Sequence, residues 1–167
     1  MLAWVVQRLQ CGPATKLTNI LVLMLTIGAN AVMCDLSLLL VSAVALIDAD
    51  NRVLISQRPV GKSMSGLWEF PGGKLQENET PEQALIRELS EELGIDTKES
   101  CLAPIGFASH SYDDFHLLMP VFVCRVWEGI PQPKEGQRIA WVTLTELSSY
   151  PMPPADKPLI PILRDLL

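Results

Sequence analysis

Residues 87–95 read RELSEELGI, and in this run Glu91 and Glu92 follow Glu88 by three and four positions. On a helix such carboxylates share a face, where like charges repel by about 0.2–0.5 kcal/mol per pair. The face is therefore either simply solvated or built against something positive. Arg87 and Glu91 form an i,i+4 pair, an ordinary feature of a solvated helix surface. The residues upstream mark the helix clearly. Thr80 is a good N-cap, Pro81 suits the first helical position, and Gln83 completes a capping box. Leu85, Leu89 and Leu93 recur every four residues as an apolar stripe, and Gly94 stops the helix.

The wider spacing separates the two readings. Gly73, five residues, Glu79, seven residues and then RELSEELGI form one pattern. Seven fixed residues, each at about 6% usage, coincide by chance about once in 10⁹ starting positions. An accidental surface helix does not account for that. A glycine-rich turn at Gly72 and Gly73 brings the backbone close to a ligand, and the helix presents Glu88, Glu91 and Glu92 together. Hard oxygen donors of this kind suit Mg²⁺ or Mn²⁺, which bind through a few carboxylates plus substrate phosphates. Arg87 can tether a glutamate and keep the cluster in register.

Outward from this motif the chain alternates strands and helices. LLLVSAVALI (38–47) reads as a strand buried on both faces, DADN (48–51) as a turn, and RVLISQR (52–58) as a second strand. PVGKSMSG (59–66) is a flexible loop, and LWEFPGG (67–73) a tight stretch ending in two glycines. Strands are expected near 102–110 and 116–127, then a loop at WEGIPQPKEGQ (127–137) and a strand at RIAWVTL (138–144). The tail, 145–167, reads as a Pro-interrupted loop and a short amphipathic helix. This is one α/β domain, residues 37–167, preceded by a hydrophobic extension, 1–36.

The full pattern matches every position of the Nudix box, and the chain resembles the MutT branch of the Nudix hydrolases. WEFPGGK (68–74), LISQRP (54–59) and YPMPPADKPLI (150–160) extend the resemblance over most of 40–165. It implies a mixed β-sheet sandwiched between helices, an α/β/α layering. It also implies hydrolysis of a nucleoside triphosphate to monophosphate and pyrophosphate by water attack on the β-phosphorus, with Mg²⁺ (or Mn²⁺) lowering the pKa of a bound water. Oxidised guanine nucleotides are among the branch's substrates, which implies sanitation of the nucleotide pool and fidelity of DNA replication.

Carried over residue by residue, Glu88, Glu91 and Glu92 match the metal-binding glutamates, and Gly72–Gly73 the carbonyl ligand region. Glu135 matches an acidic residue that joins the metals when substrate is bound. Arg58 matches a cation near the substrate phosphates, and Glu69, Phe70 and Pro71 line the nucleoside position. Glu88 or Glu91 would be general base, with Arg87 supporting the cluster. Two positions depart from the best-known guanine-oxidation enzymes of the branch: Asp156 stands where they have Asn, and Phe115 where an Arg contacts the base. Asn both donates and accepts, whereas ionised Asp only accepts and suits cytosine N4; protonated, it can serve an oxopurine. CTP-type pyrophosphohydrolases of the branch also carry Asp here. Asp156 could instead cap the helix that follows. A catalytically silent nucleotide-sensing module would be favoured by loss of a box glutamate, and none is lost.

Bulk properties set the remaining expectations. A net charge of −6 over 167 residues argues against a nucleic-acid polymer as partner, since phosphate tracking needs a basic stripe. A small anion is compatible if metal or local cations meet it. Four separated cysteines with no CxxC read as reduced thiols, which fits a cytoplasmic location. Residues 17–34, LTNILVLMLTIGANAVMC, carry no charge and follow Arg8 and Lys16. Three readings apply: translation starting at Met33, a short membrane anchor, or a signal peptide with a small-residue site at Ala29–Ala31. The first is favoured, with no role at a membrane.

Overall fold

The computed structural model describes residues 37–166. The extension 1–36, its boundary and its cysteines lie outside the described residues. The central strand, β1 (Ser37–Leu46), runs antiparallel to β4 (Gly72–Lys74) and parallel to β6 (Phe115–Cys124). β5 (Ala103–Ser111) pairs antiparallel with β6, completing a mixed sheet of order β4-β1-β6-β5. A second, antiparallel sheet has the order β3-β2-β7, from β2 (Val53–Gln57), β3 (Trp68–Glu69) and β7 (Arg138–Val142). The helices are α1 (Pro81–Leu93), α2 (Leu144–Leu147) and α3 (Leu159–Leu166).

The layering follows from alternation along β1. Ala43, Ala45 and Ile47 join Leu147, Leu159 and Leu163 in one core. Val44 and Leu46, pointing to the other face, join Leu85, Leu89 and Leu93 of α1 in a second. Period-two alternation thus gives each face its own helical cover. The expected burial of both faces of 38–47 holds only for the C-terminal half of β1. Leu38 is 59% and Leu40 39% exposed, because α1 covers the sheet no further than the residues opposite its leucine stripe.

α1 forms as its sequence dictates. Thr80 accepts from the Gln83 backbone N–H at 3.2 Å, and the Gln83 side chain accepts from Thr80 N–H at 3.1 Å. Gly94 takes the left-handed conformation at φ 65° and closes the helix onto Leu89 and Ser90 carbonyls. The tight stretch 67–73 contributes two short strands, β3 and β4. α2, absent from the sequence expectations, starts at a second capping box, Thr143 with Glu146. Leu89 is fully buried between α1 and the sheet. Leu89→Ala should cost about 2–5 kcal/mol, read as a lower urea midpoint at unchanged m-value.

Candidate active site

Arg87 is the centre of the site. Its guanidinium donates to both oxygens of Glu79, from Nε at 2.8 Å and from Nη2 at 2.9 Å. Nη1 donates to Glu88 at 2.7 Å and to Glu91 at 3.2 Å, and Nη2 reaches the Lys74 carbonyl at 3.1 Å. One cation therefore ties together three carboxylates and the end of β4. The positive charge that the crowded glutamates call for is on the helix itself. Hydrogen bonds to Glu79 and then Glu88 push the Arg87 pKa further above its ordinary value. The same bond holds the Glu79 carboxyl below the usual carboxylate range.

The two glycines have separate tasks. At Gly73 a β-carbon would fall on the Glu88 carboxylate. At Gly72, with φ 148°, it would strike the Ser42 carbonyl across the β1–β4 pair. Only glycine lets Glu88 lie flat against the strand and lets that strand approach β1. Pro71 is buried, and its carbonyl accepts from Val44 N–H at 2.9 Å. It fixes the turn and is not among the cleft-lining residues.

Glu135 reaches the site through the C-terminus of α1. The last carbonyls of a helix lack intrahelical partners. Here the loop 132–137 supplies them: Lys134 N–H and the Gln137 side-chain amide both donate to the Glu92 carbonyl, at 2.9 and 2.8 Å. Gln137 also accepts from Glu135 N–H at 2.7 Å, which holds Glu135 at the cleft. Its carboxylate accepts from Lys62 Nζ at 2.7 Å.

These residues surround a cleft of about 390 Å³ lined by Glu88, Glu91, Glu92, Glu135, Gly72 and Gly73, among others. An adjoining, more apolar cleft of about 450 Å³ is lined by Tyr112, Phe115, Leu117 and Ala155. Arg58, Glu69, Met119 and Asp156 line both. Arg58 donates to Glu69 at 3.0 Å and to the Ser63 carbonyl at 3.0 Å, while burial pushes the Glu69 carboxyl up. Phe70 belongs to the core and to the wall of the first cleft. Asp156, 5% exposed, receives Phe70 N–H at 3.5 Å through its side chain. The start of α3 uses its backbone carbonyl instead, which accepts from Leu159 N–H. Burial, then the nearby Glu69, push the Asp156 carboxyl up to about 7.

Among the described residues no three acidic, histidine or cysteine side chains converge as a finished metal cage. Glu88 and Glu91 are turned to Arg87 instead. The donor set nevertheless suits a hard cation. Burial, then the charges of Glu88, Glu135 and Glu69, hold the Glu92 carboxyl up at about 7. A bound cation relieves that crowding.

Several cleft residues escaped the sequence reading. Ser42 is fully buried, its hydroxyl has no hydrogen-bond partner, and it faces the cleft floor. Lys62 and Gln137 sit on loops, where spacing gives no contact information. Leu117 and Met119 follow Phe115 at period two on β6, a signal that was readable. His116 is engaged by the Ser109 and Ser111 hydroxyls, at 2.9 and 2.8 Å. Cys101 and Cys124 are unbridged.

Residues 42–161 match the model of the NUDIX domain, and the chain belongs to that family. It is 43% identical to an 8-oxo-dGTP diphosphatase of Proteus vulgaris over 104 residues, 62% of this chain and 91% of that one. To a CTP pyrophosphohydrolase of Escherichia coli it is 38% identical over 120 residues, 70% of this chain and 84% of the relative. The solved MutT NUDIX hydrolase of Burkholderia pseudomallei superposes with a TM-score of 0.67 at 25% identity, covering 78% of this chain and 99% of that one. Within the family the chain is a hydrolase of the MutT type.

Gly73→Ala tests the packing of glycine against Glu88. The added methyl should displace the carboxylate and lower kcat by about a hundredfold or more, on the scale of a misplaced reacting group. Circular dichroism should remain that of the folded protein.

Proposed function

We propose that this chain is a Mg²⁺-dependent nucleoside triphosphate pyrophosphohydrolase of the cytoplasm. It converts 8-oxo-dGTP or related non-standard triphosphates to monophosphate and pyrophosphate, and so cleans the nucleotide pool used in replication. The observation that carries this reading is a carboxylate wall clamped by Arg87, opening directly into an apolar chamber with Asp156 at the junction. Relatives named for 8-oxo-dGTP and for CTP support the same reaction class. No helix among the described residues is long and apolar enough to cross a membrane.

Glu88, Glu91, Glu92 and Glu135, with the Gly72–Gly73 backbone, are the residues that would hold the cation. When bound, Mg²⁺ screens the triphosphate charge and acidifies water. The remaining work belongs to the chain. Arg58 and Lys62 line the path of the phosphates, and the base lies against Phe115, Leu117 and Met119. Water adds to the β-phosphorus as the bond to the α–β bridging oxygen breaks; the monophosphate leaves with that oxygen, and pyrophosphate carries the new one. Glu88 or Glu91 takes the proton from water. Glu91→Gln and Glu92→Gln should each lose about a hundredfold or more in kcat with Mg²⁺ while remaining folded, on the scale of a lost acid–base or charge-stabilising group. Wild-type turnover in both would overturn the assignment.

A second reading, a pyrimidine triphosphate pyrophosphohydrolase, has Asp156 behind it. A carboxyl held up near 7 is neutral below that pH and ionised above it. Neutral, it donates and accepts, as an oxopurine requires; ionised, it only accepts, as cytosine N4 requires. The ratio of kcat/KM for 8-oxo-dGTP to that for dCTP should therefore fall as pH rises through about 7. In Asp156→Asn the ratio should be flat across that range. A preference of tenfold or more for CTP or dCTP throughout would decide for the pyrimidine enzyme.

A further inference from the structure

Lys62 stands at the tip of a loop closed at its base, where Arg58 N–H donates to the Leu67 carbonyl and Gly66 N–H to the Arg58 carbonyl, each at 3.0 Å. The Gln57 side chain braces the same loop at the Gly66 carbonyl, 2.9 Å away. From there Lys62 Nζ reaches across to Glu135 at 2.7 Å, joining the two loops that edge the cleft. The cleft is lined by six carboxylates and three cations, so an incoming triphosphate meets a wall of its own sign. Arg58 is already committed to Glu69 and Ser63. Lys62 has one partner, and that partner is a carboxylate whose place in the reaction lies elsewhere.

We propose that Lys62 is an exchangeable counter-ion. It neutralises Glu135 while the cleft lacks a divalent cation, and binds the terminal phosphate of the substrate once Glu135 turns to the cation. The proposal rests on the hydrolase reading given above. An ammonium on a flexible four-carbon stem, 54% exposed, can change partners without losing packing. An exposed ion pair adds little stability, so its exchange costs little. The arrangement gives the acidic cleft a positive group for the phosphates when the cation arrives, and suppresses repulsion between Glu135 and Glu92 before that.

Two measurements on the full chain test this with Lys62→Met, Lys62→Arg and the double variant Lys62→Met/Glu135→Gln. Melting curves first establish that each is folded. In substrate-free protein titrated with Mn²⁺ and followed by EPR, Lys62→Met should bind Mn²⁺ about threefold to tenfold more tightly, since loss of the ammonium leaves the Glu135 charge unneutralised in the acidic cleft. The double variant should lose that gain. In steady-state assays with 8-oxo-dGTP and dCTP in Mg²⁺, Lys62→Met should raise KM about tenfold with kcat changed less than twofold, the size of one lost charge-assisted contact. Lys62→Arg, which keeps the charge, should recover most of the KM lost in Lys62→Met. Unchanged Mn²⁺ affinity or unchanged KM in Lys62→Met overturns the proposal while wild-type turnover leaves the hydrolase reading intact. Wild-type protein that neither binds Mn²⁺ nor cleaves a triphosphate overturns both.

Discussion

The site depends on one guanidinium. Arg87 holds Glu79 with two hydrogen bonds and still reaches Glu88 and Glu91. A planar fork can do this because its five donors point in fixed directions, whereas an ammonium offers a single point of charge. The pair with Glu79 is largely shielded, with the Arg87 side chain 21% and the Glu79 side chain 13% exposed. It is therefore worth more than an ordinary surface ion pair. Without this clamp, Glu88 and Glu91 would be separated from each other only by repulsion. With it, both carboxylates are hydrogen-bonded to one cation on their own helix.

The fold serves that clamp from three directions. The capping box fixes where α1 starts, and so places Arg87 two turns from Glu79. The antiparallel β1–β4 pair sets Gly73 against Glu88 and brings the Lys74 carbonyl to Arg87. The carbonyls left over at the end of α1 hold the loop that carries Glu135. The acid cluster is thus anchored by groups that backbone chemistry leaves unsatisfied. The adjoining apolar chamber is built differently, from alternate residues of β6 and the loop before α3.

Local signals in the sequence reached as far as backbone rules extend. Thr80, Pro81, Gln83 and Gly94 mark α1 because capping depends only on neighbouring residues. The spacing of Gly73, Glu79 and the box glutamates marked the NUDIX family, though not the contact of Gly73 with Glu88, which depends on sheet register. Lys62 with Glu135 lies 73 residues apart and was invisible to any periodicity. The run at Leu38 and Leu40 looked fully buried because apolar character does not say how far a helix cover extends. Asp156 was ambiguous between cap and base reader for a related reason: its side chain turns to Phe70, 86 positions away.

A double-mutant cycle on Arg87→Met and Glu79→Gln addresses the clamp most directly, with kcat/KM in Mg²⁺ as the readout. If Glu79 acts by holding Arg87 among the carboxylates, the double variant should be little worse than Arg87→Met alone, with a coupling energy of at least about 1.5 kcal/mol. Losses that simply add would contradict the account and leave the two residues as independent contributors.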